Sequence, residues 1–191
     1  DIPEITLVAI LDCGGDLYAP QTMTDADGNR ISIAWLRMPE PVDGIWQGMF
    51  CLPRVVDVQN DHIYFRVLPA IRDGFCKKTD SLVSACGECA MIRAELKEGE
   101  SLEIGGYKIW RQSGKVCADR TDVYPSGAKG WLHAETPQLK EGDLLEIFVD
   151  PNMIEIYANN GEYVLSQAVY GLGETFSYKM EKKPEIYLWN E

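Results

Sequence analysis

The 191-residue sequence predicts an all-β fold, and three observations support this prediction. Short runs rich in β-branched and aromatic residues recur about every 8–12 residues, which is typical of β-sandwiches and barrels. Glycine pairs or Asn-Asn-Gly separate several of these runs, as in tight hairpins. The sequence shows no helical periodicity over more than two turns.

The first third of the chain contains three predicted strands. Residues 5–11 form a continuous apolar run, which suits a strand that is covered on both faces. Residues 31–36 and 63–67 continue the pattern, and residues 25–29 are typical of a turn. We expect a domain boundary at residues 69–73.

The rest of the chain is predicted to consist of strands as well. Gly105-Gly106 and Asn159-Asn160-Gly161 are the two hairpin turns. Strands are predicted on both sides of these turns, at residues 101–104, 107–110, 144–149, 153–158 and 163–169. The strand at 144–149 alternates only weakly between apolar and polar residues.

Composition excludes several classes of partner. The chain carries 18 Lys and Arg against 30 Asp and Glu, a net charge of −12, so nucleic acid and anionic membrane surfaces would be repelled. The sequence contains no apolar run of about 20 residues, the length that a membrane helix needs. We expect the six cysteines to be mostly reduced in a cytoplasmic protein, although an even number leaves disulfides open.

Four segments at set distances resemble the last propeller blade of glycoside hydrolase family 32, the invertases, fructanases and sucrose-6-phosphate hydrolases. They are Asp16-Leu17-Tyr18-Ala19-Pro20-Gln21-Thr22, residues 31–35, Trp46-Gln47-Gly48 and Leu52-Pro53-Arg54. The chain departs from the family pattern at Ala34, at Ile45 and at Val55-Val56. Farther along, Asp119-Arg120-Thr121 and the hairpin at residues 145–162 are similar to the family's C-terminal sandwich.

The resemblance implies a partial β-propeller blade followed by a two-sheet antiparallel β-sandwich. Residues 1–69 would be a remnant of the last of five blades, and residues 70–191 the sandwich. The family hydrolyses β-fructofuranosidic bonds with no metal or organic cofactor. It uses a retaining mechanism in which two carboxylates stand about 5–5.5 Å apart. Because the family's catalytic motifs precede this blade, we expect the isolated chain to be inactive without the N-terminal propeller.

Three short sequences copy parts of the family's catalytic motifs in the wrong context. Asp150-Pro151-Asn152 lies in the predicted sandwich hairpin, Glu88-Cys89 follows the blade, and Arg72-Asp73 lacks the following proline. We interpret Asp150 as a turn residue and Glu88 as a solvated one. The Cys-x-x-Cys sequence at residues 86–89 lacks the second pair or the nearby histidines that a zinc site needs, so we predict no metal site.

By resemblance, Asp16, Tyr18 and Trp35 are the candidate substrate-binding residues. An aromatic ring can cover the apolar face of a sugar such as a fructoside. The alternative is that Tyr18 and Trp35 pack inside the blade. Trp46 and Arg54 are interpreted as structural, and Gln21 is left open.

Two other functions stay open. The sandwich could be a carbohydrate-binding or oligomerisation module without catalysis, which an exposed row drawn from Tyr107, Trp110, Trp131, Tyr157 and Tyr163 would favour. The chain could also be one subunit of a split enzyme. Since a lone blade leaves an open strand edge, we further predict self-association through residues 1–68.

Overall fold

The computed structural model describes residues 9–81, 89–140 and 142–190, and it confirms the all-β prediction. Within these ranges, helices are limited to α1 (Pro69–Arg72) and a 3-10 turn at Thr121–Val123. The short α1 begins with a proline, which is tolerated in the first turn of a helix. No helix of the described ranges has the length and apolar character to cross a membrane.

The first part of the chain forms one antiparallel sheet, called the blade sheet here. Its strands are β1 (Leu17–Thr24), β2 (Arg30–Leu36), β3 (Met49–Phe50), β4 (Arg54–Gln59) and β5 (His62–Val67). The strand order is β1-β2-β4-β5, and β3 pairs with β2. The predicted turn joins β1 to β2, where the Asp25 carboxylate accepts the N–H groups of Asp27 and Asn29.

The strand predicted at residues 5–11 lies mostly outside the described residues. Its described end, residues 9–11, is irregular. The reason is that the chain beyond it attaches to the sandwich: the Cys13 N–H donates to the Val164 carbonyl at 2.7 Å. The Asp12 carboxylate also accepts the N–H groups of Gly14 and Ser166. These bonds turn the chain before the blade sheet begins.

The second part of the chain forms two antiparallel sheets. Its strands are β6 (Lys77–Thr79), β7 (Ala90–Glu95), β8 (Ser101–Ile104), β9 (Tyr107–Gln112), β10 (Lys115–Asp119), β11 (His133–Glu135), β12 (Leu144–Asp150), β13 (Met153–Ala158), β14 (Tyr163–Ala168), β15 (Phe176–Lys179) and β16 (Glu185–Leu188). The inner sheet has the order β14-β13-β12-β7-β16-β6, and the outer sheet has the order β11-β10-β9-β8-β15. Both predicted hairpins, β8–β9 and β13–β14, are present.

The inner sheet is buried on both faces along its strands β12, β13 and β14. Ile147 and Ile156 point into the core that it shares with the outer sheet, where they pack with Leu102 and Ile109. Alternate residues of the same strands, such as Phe148, point to the blade sheet, because neighbouring side chains of a strand lie on opposite faces. The described residues therefore form three layers: blade sheet, inner sheet and outer sheet.

An aromatic cluster fills the contact between the blade sheet and the inner sheet. Phe148 lies edge-to-face against Tyr157 at 5.6 Å between ring centroids, and against Phe75 at 5.3 Å. Phe65 and Val67 of β5 complete the cluster from the blade side. Burial of these large rings removes apolar surface from water on both layers.

The β13–β14 turn fastens the edge of the blade sheet. Asn159, Asn160 and Gly161 all have positive φ, and the Phe65 N–H donates to the Gly161 carbonyl at 2.9 Å. A Cβ atom on Gly161 would lie 2.2 Å from the Phe65 carbonyl oxygen. Glycine is therefore required here both for its backbone conformation and for the close approach of the two layers.

We predict that Gly161→Ala destabilises the chain far more than Gly99→Ala. Both glycines have positive φ, but a Cβ on Gly99 would meet open space. The strain of a positive φ is common to both variants, so their difference isolates the clash with the blade sheet, about 1–3 kcal/mol. Urea unfolding measures both values. Equal losses of unfolding free energy would show that the two layers do not meet at Gly161.

Candidate functional site

Tyr18 and Trp35 lie side by side on the blade sheet. They are directly paired across β1 and β2, and their rings meet edge-to-face at 6.1 Å between centroids. Ala34 and Leu36, which flank Trp35, pack with Met153 of the sandwich. Trp35 therefore points to the opposite face of the sheet. Tyr18 is 53% exposed and Trp35 is 40% exposed, so the described residues leave both rings accessible.

The Trp35 ring is held by Gly48, which the sequence marks only as the end of the Trp46-Gln47-Gly48 motif. Gly48 has a φ of 88°, and a Cβ atom there would lie 1.9 Å from Trp35 Nε1. The indole consequently rests on the bare backbone at Gly48. Phe50, paired with Trp35 across β2 and β3 and 70% exposed, extends the row. We call Tyr18, Trp35 and Phe50 the aromatic face.

Asp16, the third predicted binding residue, is buried and fully engaged within the protein. The Arg120 side chain donates to both of its carboxylate oxygens, with Nη2 at 2.9 Å from Oδ1. The Ala168 N–H donates to Oδ2 at 2.9 Å. Substrate binding by Asp16 stays a prediction. In the structure its carboxylate holds the start of β1 against the sandwich, two residues before Tyr18.

Arg120 is the residue of the sandwich that pairs with Asp16. Its guanidinium is buried, donates to the carbonyls of Ala168 and Trp131, and lies 4.0 Å from the ring centroid of Tyr124. A planar guanidinium can satisfy all these partners at once, which an ammonium cannot. The Asp-Arg-Thr turn and the Asp-Leu-Tyr-Ala-Pro-Gln segment are thus two parts of one contact.

A second buried arginine makes the reciprocal contact. Arg54 of β4 donates to Glu155 Oε1 at 3.0 Å, to Ser166 Oγ at 2.5 Å and to Tyr157 Oη at 3.2 Å. Asp12 Oδ2 lies 3.0 Å from its Nη1. Here the blade supplies the cation and the sandwich supplies a carboxylate, whereas at Arg120 the roles are reversed. The structural role of Arg54 is therefore to join the blade sheet to the sandwich.

The Arg54 cluster holds one cation between two buried carboxylates, Asp12 and Glu155. Burial raises the pKa of Asp12, and the Arg54 cation offsets only part of this effect. Burial would lower the pKa of Arg54, but Tyr157, Glu155 and Asp12 together raise it well above its usual value. The cluster therefore favours uptake of a proton at Asp12.

Two of the sequences that copy catalytic motifs meet, since the Cys89 thiol donates to Asp150 Oδ2 at 3.5 Å. The Asp150 carboxylate accepts the Asn152 N–H at 3.2 Å, as expected for a turn residue. Arg72 donates to Glu146 at 2.5 Å, and Asp73 ends α1. Glu88, like residues 86–87 of the Cys-x-x-Cys sequence, lies outside the described residues. The five cysteines of the described ranges carry free thiols: Cys13, Cys51, Cys76, Cys89 and Cys117.

The aromatic residues of the sandwich do not form an exposed row. Tyr107 and Tyr157 are buried, and Tyr107 donates to Gln167 Oε1 inside the core. Trp131 is the most exposed of the five, with 67% of its surface accessible. An exposed aromatic row, which would favour an independent sugar-binding sandwich, is thus missing from the described residues.

Family models match most of the chain. The model of the glycosyl hydrolases family 32 N-terminal domain matches residues 3–67, and the model of the family 32 C-terminal domain matches residues 77–191. The interval between the two matches, residues 68–76, contains α1.

Curated relatives agree with these matches. The chain is 28% identical to a sucrose-6-phosphate hydrolase of Staphylococcus xylosus and 29% identical to a raffinose invertase of Escherichia coli. Each match covers 84% of this chain but 38% of the relative, so the chain spans less than two fifths of their length.

A solved structure shows the same fold. The sucrose-6-phosphate hydrolase of Lactobacillus gasseri superposes with a TM-score of 0.73 at 18% identity, over 94% of this chain and 42% of that one.

We predict that the Asp16–Arg120 pair is strongly coupled. Asp16→Asn or Arg120→Met alone leaves a buried charge uncompensated, so each should cost about 3–5 kcal/mol of unfolding free energy. The double variant should lose much less than the sum of the two, as a double-mutant cycle in urea would measure. Lys97→Met, which removes an exposed pair with Glu181, is the control and should change little. Additive losses would contradict a direct pairing.

We also predict that Asp12 makes stability depend on pH. Because its pKa is raised in the fold, its contribution is complete below about pH 4 and is lost as pH rises through the raised value. The unfolding free energy of Asp12→Asn should therefore improve relative to the unmodified chain as pH rises from about 4 to about 7. Asp25→Asn is the control: hydrogen bonds from Asn29 lower the pKa of Asp25, so its contribution is lost only as pH falls below about 4, and its difference from the unmodified chain should stay level from about pH 5 to about 7. The same trend in both variants would contradict this assignment.

Proposed function

Because the chain belongs to glycoside hydrolase family 32, we propose that it forms the C-terminal part of a hydrolase of β-fructofuranosidic bonds. The observation that carries this proposal is the exposed Tyr18–Trp35 pair on a blade whose other face is fixed to the sandwich. Sucrose, sucrose 6-phosphate and fructans are the substrate classes, since relatives are named as sucrose-6-phosphate hydrolases and as an invertase.

In this proposal the aromatic face covers one side of the sugar. An aromatic ring lies well against the apolar C–H face of a furanose, and the tyrosine hydroxyl and indole N–H can bond to sugar hydroxyls. The edge-to-face contact and the glycine beneath Trp35 fix the two rings before a ligand arrives. A fixed platform loses little side-chain freedom on binding, which favours affinity.

The chemistry would follow the retaining two-carboxylate scheme. One carboxylate attacks the anomeric carbon, and a second, which is protonated and stands about 5–5.5 Å from the first, donates its proton to the leaving oxygen. Asp150 and Asp73, the described aspartates in partial motifs, serve a turn and a helix end. We therefore propose that carboxylates other than these perform the reaction, and that this chain alone does not catalyse it.

The remaining parts of the proposal concern setting and partners. The free thiols of the five cysteines in the described ranges support a reducing, cytoplasmic setting. The retaining two-carboxylate mechanism needs no metal or organic cofactor. Self-association through residues 1–68 remains a prediction. The exposure of β1, an edge strand of the described blade sheet, supports it.

The direct test of the binding proposal is a titration of the chain with sucrose and fructo-oligosaccharides, followed by NMR of the indole N–H signals. We expect the Trp35 signal to shift, and Trp35→Ala to weaken binding about tenfold or more. Trp46→Ala removes another partly exposed tryptophan of the blade segment and serves as the matched control. Equal weakening in both variants would contradict a site at the aromatic face.

The catalytic part has its own test, the release of fructose from sucrose, sucrose 6-phosphate and inulin by the purified chain. We expect no release above a blank, because the described aspartates of the partial motifs, Asp150 and Asp73, serve a turn and a helix end. Release that is abolished by Asp150→Asn or Glu88→Gln would overturn this expectation. The binding titration is independent of this result.

A further inference from the structure

A cleft lies between the base of the blade sheet and the sandwich, next to the aromatic face. It has a volume of about 330 Å³, and its walls include Gly15, Arg37, Tyr124, Lys129 and Trp131. Two of these residues come from the blade segment and three from the loop that follows Arg120. The fold therefore builds the cleft only when the two layers are in contact.

The cleft contains two cations that no carboxylate neutralises within the described residues. Neither Arg37 nor Lys129 is part of a salt bridge there, although the chain has a net charge of −12. The wall also contains Asp16, but Arg120 and the Ala168 N–H occupy its oxygens. An anion in the cleft would therefore meet two available cations and no free carboxylate.

The positions of these groups are set by the surrounding backbone. Arg37 donates to the Gly15 carbonyl at 3.2 Å, and its guanidinium carbon lies 5.2 Å from the ring centroid of Tyr18. The Tyr124 hydroxyl donates to the Lys129 carbonyl at 3.1 Å. Arg37 thus joins the cleft to the aromatic face, while Lys129 extends from a fixed loop on the other side.

Trp131 supplies a fixed but accessible ring. Its carbonyl accepts from Arg120 Nε at 2.9 Å and from Gln167 Nε2 at 3.1 Å. Its ring rests on Gly15, where a Cβ atom would lie 2.7 Å from Trp131 Cε3. An exposed ring beside two cations is suited to a ligand with an apolar face and an anionic group.

We propose that this cleft binds the phosphate group of a phosphorylated saccharide, with Arg37 and Lys129 as the cations and Trp131 against the adjoining sugar ring. Guanidinium groups donate two parallel hydrogen bonds to phosphate, and an ammonium adds a compact charge. A neutral saccharide would leave both cations unused. The inference rests on the proposed function, because Arg37 links the phosphate to a sugar on Tyr18.

The test is a calorimetric titration of the full chain with sucrose 6-phosphate, sucrose and inorganic phosphate. We expect sucrose 6-phosphate to bind about tenfold more tightly than sucrose, and Arg37→Gln or Lys129→Gln to remove this preference; Lys129→Gln should do so without weakening sucrose binding. Lys179→Gln is the matched control, since Lys179 is an exposed cation of the outer sheet without a salt bridge in the described residues. It should keep the preference.

The outcomes separate this proposal from the function on which it rests. Equal affinity for sucrose and sucrose 6-phosphate, or an equal loss in Lys179→Gln, would overturn the phosphate site. Binding of sucrose 6-phosphate that depends on Arg37, with no binding of sucrose, would support the cleft and count against the aromatic face. Inorganic phosphate that binds as tightly as sucrose 6-phosphate, with no effect of Trp131→Ala, would overturn the saccharide part.

Discussion

Two buried arginines, each paired with a carboxylate of the opposite layer, fix the blade sheet on the sandwich. Arg54 extends from the blade to Glu155, and Arg120 extends from the sandwich to Asp16. A buried cation without its partner costs several kcal/mol, so a displaced arrangement of the layers is strongly disfavoured. Apolar packing supplies much of the attraction between the layers. The two ion pairs fix the position of one layer on the other, which is called the register of the layers here.

The exposed features depend on this register. Asp16 is two residues from Tyr18, and Arg120 also holds the Trp131 carbonyl, so one guanidinium positions an aromatic residue on each layer. The aromatic face and the cleft beside it are therefore parts of one surface that crosses the junction. In the proposed function, the sandwich contributes to sugar recognition by holding the blade, and at the cleft by direct contact.

The sequence predicts local features well and long-range pairings poorly. The β8–β9 and β13–β14 hairpins follow from the positions of glycine and asparagine in the sequence. Tyr18 and Trp35, which belong to two neighbouring family motifs, are paired across β1 and β2. The Asp16–Arg120 contact joins residues 104 positions apart, so no local pattern indicates it. Likewise β12 alternates weakly because this strand is buried on both faces, with Glu146 among its apolar residues.

Amide hydrogen exchange of Arg120→Lys tests the central claim most directly. Lysine keeps the charge but cannot bond to both oxygens of Asp16 while holding the carbonyls of Ala168 and Trp131. The account predicts faster exchange in β1 and β2, with protection in β12 and β13 of the inner sheet retained. Unchanged protection in β1 and β2, or a uniform loss across all three sheets, would contradict the role assigned to Arg120.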